Sequence, residues 1–147
     1  MAGNSVEAMQ ALDSQLSQIG LQVCRKKIIE LSKYLIADDK VNFALHPLGV
    51  VNNGILTLII AGNGSYGNRL ASWTLFASPN TCSGTYEQIH HWSMSCEEAK
   101  KIYFSSFGPQ KQLTLGISQS ELNPTTHVYF SSNGLDSCTT VKKELLP

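Results

Sequence analysis

The spacing of the apolar residues changes near residue 38, and this change constrains the fold more than any other feature of the chain. Up to that point apolar residues recur every three to five positions, as on one face of a helix. They are Met9, Leu12, Leu16, Ile19, Val23, Ile28, Leu31 and Leu35. Gly20 interrupts the stripe and marks either a bend or a break into two helices. The stripe predicts a long amphipathic helix over residues 1–37.

Beyond residue 38 apolar and polar residues alternate, which predicts β-strands. Val41, Phe43 and Leu45 begin this alternation, and Ser95 with Glu98 forms a capping box that predicts one short helix. Further strands are predicted at residues 55–61, 69–77, 85–93, 112–118, 126–131 and 138–145, with loops at 62–68 and 78–84. The pattern predicts one α+β domain over residues 1–147, a long N-terminal helix packed on an antiparallel sheet with one short inserted helix.

Four widely spaced cysteines without a C-x-x-C pair predict two disulfides and an oxidising compartment. They are Cys24, Cys82, Cys96 and Cys138. The favoured pairing is Cys24–Cys138, which joins the long helix to the last strand, with Cys82–Cys96 as a clamp on the short helix. This clamp requires the chain to fold back, because an extended strand lies between its cysteines. Four reduced core thiols in a cytosolic chain are the alternative.

Charge and hydropathy exclude two classes of partner. Eleven basic and eleven acidic residues cancel, whereas a general nucleic-acid binder needs a basic excess. No run approaches the ~20 apolar residues of a membrane span. The N-terminus lacks a signal-peptide pattern, which fits a cytosolic protein or a mature periplasmic chain after signal-peptide removal. The cysteines favour the periplasm.

The chain contains a glycine motif, but it does not predict a cofactor site. Residues 62–67, Gly-Asn-Gly-Ser-Tyr-Gly, match the dinucleotide pattern G-x-G-x-x-G. That mechanism requires a helix after the third glycine to bind the pyrophosphate. Residues 69–77 are instead rich in β-formers and are followed by Pro79. The motif is therefore interpreted as a hairpin loop, and no cofactor is predicted.

The histidines do not predict a metal or catalytic site. His90 and His91 are adjacent on a predicted strand and point to opposite faces, so they cannot bind one metal ion together. His46 and His127 are isolated in the sequence. A G-x-S-x-G motif is absent, and paired cysteines leave no thiolate nucleophile. The sequence therefore predicts a protein that is not an enzyme and holds no metal.

Two similar hexapeptides and one loop predict contacts with another protein. Residues 103–108, Tyr-Phe-Ser-Ser-Phe-Gly, resemble residues 129–134, Tyr-Phe-Ser-Ser-Asn-Gly. Serine, asparagine and tyrosine in turns make protein contacts at low entropic cost. The predicted partner-binding residues are Asn63, Ser65, Tyr66, Ser105, Ser106, Ser131 and Ser132. Ordinary solvated turns are the alternative.

In overall make-up the chain resembles small inhibitor proteins of the bacterial cell envelope. It is similar to periplasmic immunity proteins that neutralise cell-wall amidase toxins delivered by type VI secretion. The stretches concerned are residues 19–24, 82–88 and 142–146. The resemblance implies a stoichiometric binder, the immunity half of a toxin–antitoxin pair, that plugs the active-site cleft of a secreted peptidoglycan hydrolase with a surface loop.

Two other functions fit the same residues. One is a small envelope ligand-binding protein or enzyme with a histidine-lined pocket under the long helix, formed by His90 or His127. The other is a pilotin-like assembly factor that binds its partner with an exposed apolar stripe on residues 9–35.

Overall fold

The structure is a computed structural model that describes residues 5–19, 22–35, 40–50, 53–64, 67–78 and 80–146. In these segments two helices and four strands are followed by one helix and four further strands. The helices in these segments are α1 (Ser5–Ile19), α2 (Gln22–Leu35) and α3 (Cys96–Tyr103). The strands are β1 (Lys40–Val50), β2 (Asn53–Gly64), β3 (Gly67–Ala77), β4 (Cys82–Trp92), β5 (Lys111–Thr114), β6 (Ile117–Asn123), β7 (Thr126–Ser132) and β8 (Cys138–Leu146).

The eight strands form one antiparallel sheet in the order β1-β2-β3-β4-β8-β7-β6-β5. The first four strands follow one another as a meander. The chain then crosses through α3 to the far edge and returns strand by strand, so that β8 pairs with both β4 and β7. The predicted α+β class with an antiparallel sheet is confirmed, and the sheet rather than the helical segment dominates the fold.

The prediction of one long N-terminal helix is wrong, because the segment forms two helices that contact each other. The Arg25 guanidinium donates to both carboxylate oxygens of Asp13, at 2.8 and 3.1 Å. Twelve residues along a straight helix would separate these side chains by ~18 Å. The hydrogen bond with Arg25 holds the pKa of Asp13 below its ordinary value. The chain therefore reverses between α1 and α2, and Gly20 itself lies outside the described residues.

All three helices pack on one face of the sheet, which we call the covered face. Cross-strand partners share a face, and the register places Leu58, Trp73 and Tyr86 on the same face as Thr140 and Phe130. The opposite side chains of the strands form the open face. No helix among the described residues is long and apolar enough to cross a membrane.

The covered face carries two apolar cores. In the first, the α1 and α2 side chains Leu12, Leu16 and Ile28 are fully buried with residues of β1–β4. In the second, α3 and the segment after it cover β7 and β8. A pilotin-like factor requires an exposed apolar stripe on residues 9–35, and burial of these three side chains does not favour that alternative.

The structure contains two disulfides, as predicted, but the favoured pairing is wrong. The bonds are Cys24–Cys82, which joins α2 to the start of β4, and Cys96–Cys138, which joins α3 to β8. Their Cα atoms are 5.3 and 5.0 Å apart.

Strand β4 lies between Cys82 and Cys96 and excludes the predicted bond between them. Its extended length of ~33 Å separates Cys82 from the end near Cys96, whereas bonded cysteines need Cα atoms within about 7 Å. Cys138 is the ladder partner of Trp92, so it lies at the far end of β4, close to Cys96. Two disulfides are typical of chains that fold in an oxidising compartment.

Gly84 was predicted in a loop but lies within β4, where the backbone of β3 leaves no space for a Cβ atom. A Cβ atom here would approach the Leu75 Cα atom to 2.9 Å and the Thr74 carbonyl oxygen more closely still. We expect Gly84→Ala to lower the free energy of unfolding by about 1–3 kcal/mol, because β3 must move. Urea denaturation measures this, with Ser83→Ala on the open face as the matched control. Equal stability of the parent and Gly84→Ala would contradict the close approach.

Candidate functional site

The first predicted contact loop lies at the turn between β2 and β3. Asn63 is exposed at the end of β2, and its side-chain amide donates to the Asn68 side chain across the turn. Ser65 and Tyr66 lie outside the described residues. The G-x-G-x-x-G match at residues 62–67 is followed by a strand and not by a helix, because β3 begins at Gly67.

The serine pairs of the two hexapeptides lie on neighbouring segments. Ser105 and Ser106 form an exposed turn after α3, while Ser131 and Ser132 end β7. The segments touch through their phenylalanines, because the Phe104 and Phe130 rings meet edge to face with centroids 5.5 Å apart. Asn63 lies at the same end of the sheet as Ser132. Three strands intervene between β2 and β7, a separation of ~19 Å.

Two leucines at this end of the sheet are exposed almost completely. Leu115, in the turn between β5 and β6, is 91% exposed, and Leu135, in the turn between β7 and β8, is 88% exposed. The Ser132 amide donates to the Gly116 carbonyl oxygen at 2.9 Å, so the two turns are neighbours. We call residues 113–117 and 132–137 the apolar turns.

Glycines in the left-handed region shape both apolar turns. Gly116 has a φ of 80° and Gly134 a φ of 122°, values that residues other than glycine rarely adopt. A Cβ atom at either position would meet no other atom within 4 Å. These glycines are therefore required by the backbone conformation of the turns rather than by packing.

Hydrogen bonds hold the second apolar turn in one conformation. The Asn133 amide donates to the Ser137 carbonyl oxygen at 3.1 Å, and the Asn133 side chain donates to Thr139 Oγ1 at 2.8 Å. Thr139 in turn hydrogen-bonds His91 at 2.9 Å. Leu135 is therefore presented by a closed turn that is anchored on β8 and β4.

The first apolar turn was not predicted, because its residue pattern imitates a strand. Leu113, Leu115 and Ile117 alternate with polar or small residues, and residues 112–118 were predicted as one strand. The structure instead reverses the chain at Leu115 and Gly116, between β5 and β6. The Leu-Gly step was the available signal, since glycine inside a strand pattern often marks a turn or bulge.

The histidines occupy four separate environments. As predicted, neighbouring His90 and His91 face opposite ways. His90 is buried on the covered face, while His91 is exposed on the open face. His127 Nε2 lies 3.8 Å from a carboxylate oxygen of Glu121, and His46 is exposed on β1. In the described part of the chain, no three metal-ligating side chains converge.

Comparison with protein families, curated proteins and solved structures finds no match to this chain.

Proposed function

We propose that this chain is a periplasmic immunity protein, an inhibitor without turnover that occludes the active site of a secreted peptidoglycan hydrolase. The observation that carries the proposal is the pair of exposed leucines on neighbouring closed turns, Leu115 and Leu135. In this proposal the apolar turns enter the active-site cleft of the hydrolase.

The shape and composition of the apolar turns support this role. Single exposed leucines are ordinary, but a contiguous apolar projection is typical of interaction sites. Leu113 and Ile117 extend the exposed apolar surface beside Leu115. Ser131 and Ser132 supply polar groups next to it, as in the rim of a protein interface. Because hydrogen bonds fix the second turn beforehand, little conformational entropy is lost on binding.

The two disulfides support a place in the cell envelope. Structural disulfides persist in oxidising compartments such as the periplasm, which is also where an inhibitor would meet a cell-wall hydrolase. Ser105, Ser106, Ser131 and Ser132 remain proposed as secondary contacts, and Asn63 as a more distant contact at the same end of the sheet.

A capture experiment tests the proposal. The oxidised protein is immobilised, exposed to bacterial envelope extracts, and the retained proteins are identified by mass spectrometry. We expect capture of a peptidoglycan hydrolase with about nanomolar affinity, typical of tight complexes. Adding the protein at a one-to-one ratio should stop that hydrolase from clearing a peptidoglycan suspension. Failure to retain any hydrolase, or full activity of the captured enzyme in the complex, would overturn the proposal.

Substitution of both leucines tests the proposed contact surface. Leu115→Asp combined with Leu135→Asp is expected to weaken hydrolase binding at least ~100-fold, as loss of interface hot spots does. Leu48→Asp is the matched control, because Leu48 is also highly exposed but lies at the other end of the sheet. Circular dichroism should show all variants folded. Unchanged binding by the double variant, or equal loss in Leu48→Asp, would exclude the apolar turns as the contact.

A further inference from the structure

A cleft of about 280 Å³ opens on the covered face beside the end of α3. Its floor is formed by β3, β4 and β8, and its wall by Tyr103 and Phe104. Two of its lining residues, Trp92 and Phe104, belong to the second core, and none of the described lining residues belongs to the apolar turns. The volume is close to the lower end of the ~300–1,000 Å³ range of small-molecule sites.

A fixed stack of rings forms the apolar side of the cleft. The Trp92 ring stacks on His90, with centroids 3.6 Å apart and planes 2° apart, and on Tyr103, with centroids 4.2 Å apart. Trp92 Nε1 also donates to Thr140 Oγ1 at 2.8 Å. Tyr103 remains 39% exposed, so part of its side chain is open to solvent at the cleft. These contacts hold the wall in place before anything binds.

Two cations reach the cleft from opposite sides of β4. Arg69 on β3 is the ladder partner of His90, and Lys142 on β8 is the ladder partner of Gln88. Their backbones are ~10 Å apart, two strand spacings, a distance that both long side chains can span. The described lining residues include no carboxylate. Glu144, the nearest acidic residue along this face of β8, lies beyond the lining.

The neutral polar groups of the cleft are also arranged as donors. Burial raises the pKa of Tyr86 above its ordinary value, so the hydroxyl keeps its proton and donates to Gln88 Oε1 at 2.8 Å. The side-chain oxygen of Gln88 is thus occupied, which leaves its NH₂ group to donate. The Thr140 hydroxyl accepts from Trp92, which leaves its own hydrogen for an acceptor. Cations and free donors together favour an anion.

We propose that this cleft binds a small organic carboxylate with a flat apolar body. The carboxylate lies between Arg69 and Lys142. The body packs against the exposed part of the Tyr103 side chain, beside the edge of Trp92, whose two ring faces are covered by His90 and Tyr103. Charge-assisted hydrogen bonds to guanidinium and ammonium groups supply the specificity for the anion. This site is independent of the proposed inhibitor function, because it uses none of the residues of the apolar turns.

Benzoate is a suitable probe, with benzamide as the uncharged analogue and inorganic phosphate as an anion without a ring. The chain contains two tryptophans, so NMR resolves their indole N–H signals. We expect benzoate to shift the Trp92 signal and to leave that of Trp73, in the first core, unchanged. Benzamide and phosphate should bind at least ~10-fold more weakly, since each lacks one of the two interactions. Absence of benzoate binding at millimolar concentration would overturn the proposal.

Charge removal at one position tests the anion contact. Lys142→Gln should weaken benzoate binding about tenfold, the loss expected for one charge-assisted hydrogen bond. Lys143→Gln is the matched control, because the neighbouring residue carries the same charge on the open face. Arg69→Gln should act like Lys142→Gln. Equal affinity in the parent and Lys142→Gln, or benzamide and phosphate binding as tightly as benzoate, would refute a carboxylate site.

Discussion

Replacing Cys24 and Cys82 together by alanine is expected to lower the free energy of unfolding by about 4 kcal/mol. The bond joins residues 58 positions apart, and in the chain-entropy model closing a loop of this length restricts the unfolded chain by that amount. Domains of this size are stable by only ~5–15 kcal/mol, so the loss is a large fraction of the total. Urea denaturation of the oxidised parent and the double variant, followed by circular dichroism, measures it.

The second disulfide provides the comparison. Replacing Cys96 and Cys138, which are 42 positions apart, should also cost about 4 kcal/mol. The two closed loops do not overlap in sequence, so the losses should add, and the variant without cysteines should be largely unfolded. Peptide mapping without reduction gives the pairing itself. A peptide that links Cys24 to Cys138, or an unfolding midpoint that reductant does not change, would contradict the described bonds.

Phe130→Ala is expected to lower the free energy of unfolding by about 3–5 kcal/mol, the range for truncation of a buried aromatic residue. Phe130 is 1% exposed and lies at the centre of the second core. Truncation also removes the edge-to-face contact with Phe104, which makes a similar contact with Phe107. The segment after α3 thus loses the contact that holds it on the sheet. Thermal and urea denaturation measure the change.

Tyr129→Ala is the matched control for Phe130→Ala. Tyr129 precedes Phe130 on β7 but lies on the open face and is only half-buried. Its truncation should cost clearly less, because the side chain remains in contact with solvent on an uncovered surface. Equal losses in the two variants would show that helices do not cover one face of β7 preferentially.

Local patterns in the sequence predicted the strands well. The alternation that begins at Val41 and Phe43 reports directly which side chains are buried, so the strands and their faces follow from it. The same pattern misled at Leu115, because a tight turn can preserve the alternation while it reverses the chain. The break between α1 and α2 was left open, since the contact of Asp13 with Arg25 is a tertiary interaction.

The disulfide pairing and the cleft could not be predicted, because both depend on strand order. Cys138 approaches Cys96 only because β8 pairs with β4. The cleft likewise combines Arg69, His90 and Lys142 from three strands. Nothing in the local sequence encodes which strands become neighbours, and loop lengths do not distinguish this order from a simple meander.

The central position of β8 has a consequence for how the protein is made. Ribosomes and secretion channels deliver a chain from its N-terminus, so β1–β4 and their bond Cys24–Cys82 can assemble first. The two halves of the sheet join only through β8, which follows β5–β7 along the chain. Until then the free edge of β4 is open to wrong pairing. We therefore expect oxidation of Cys96 and Cys138 to be the late step of biogenesis and to report completion of the sheet.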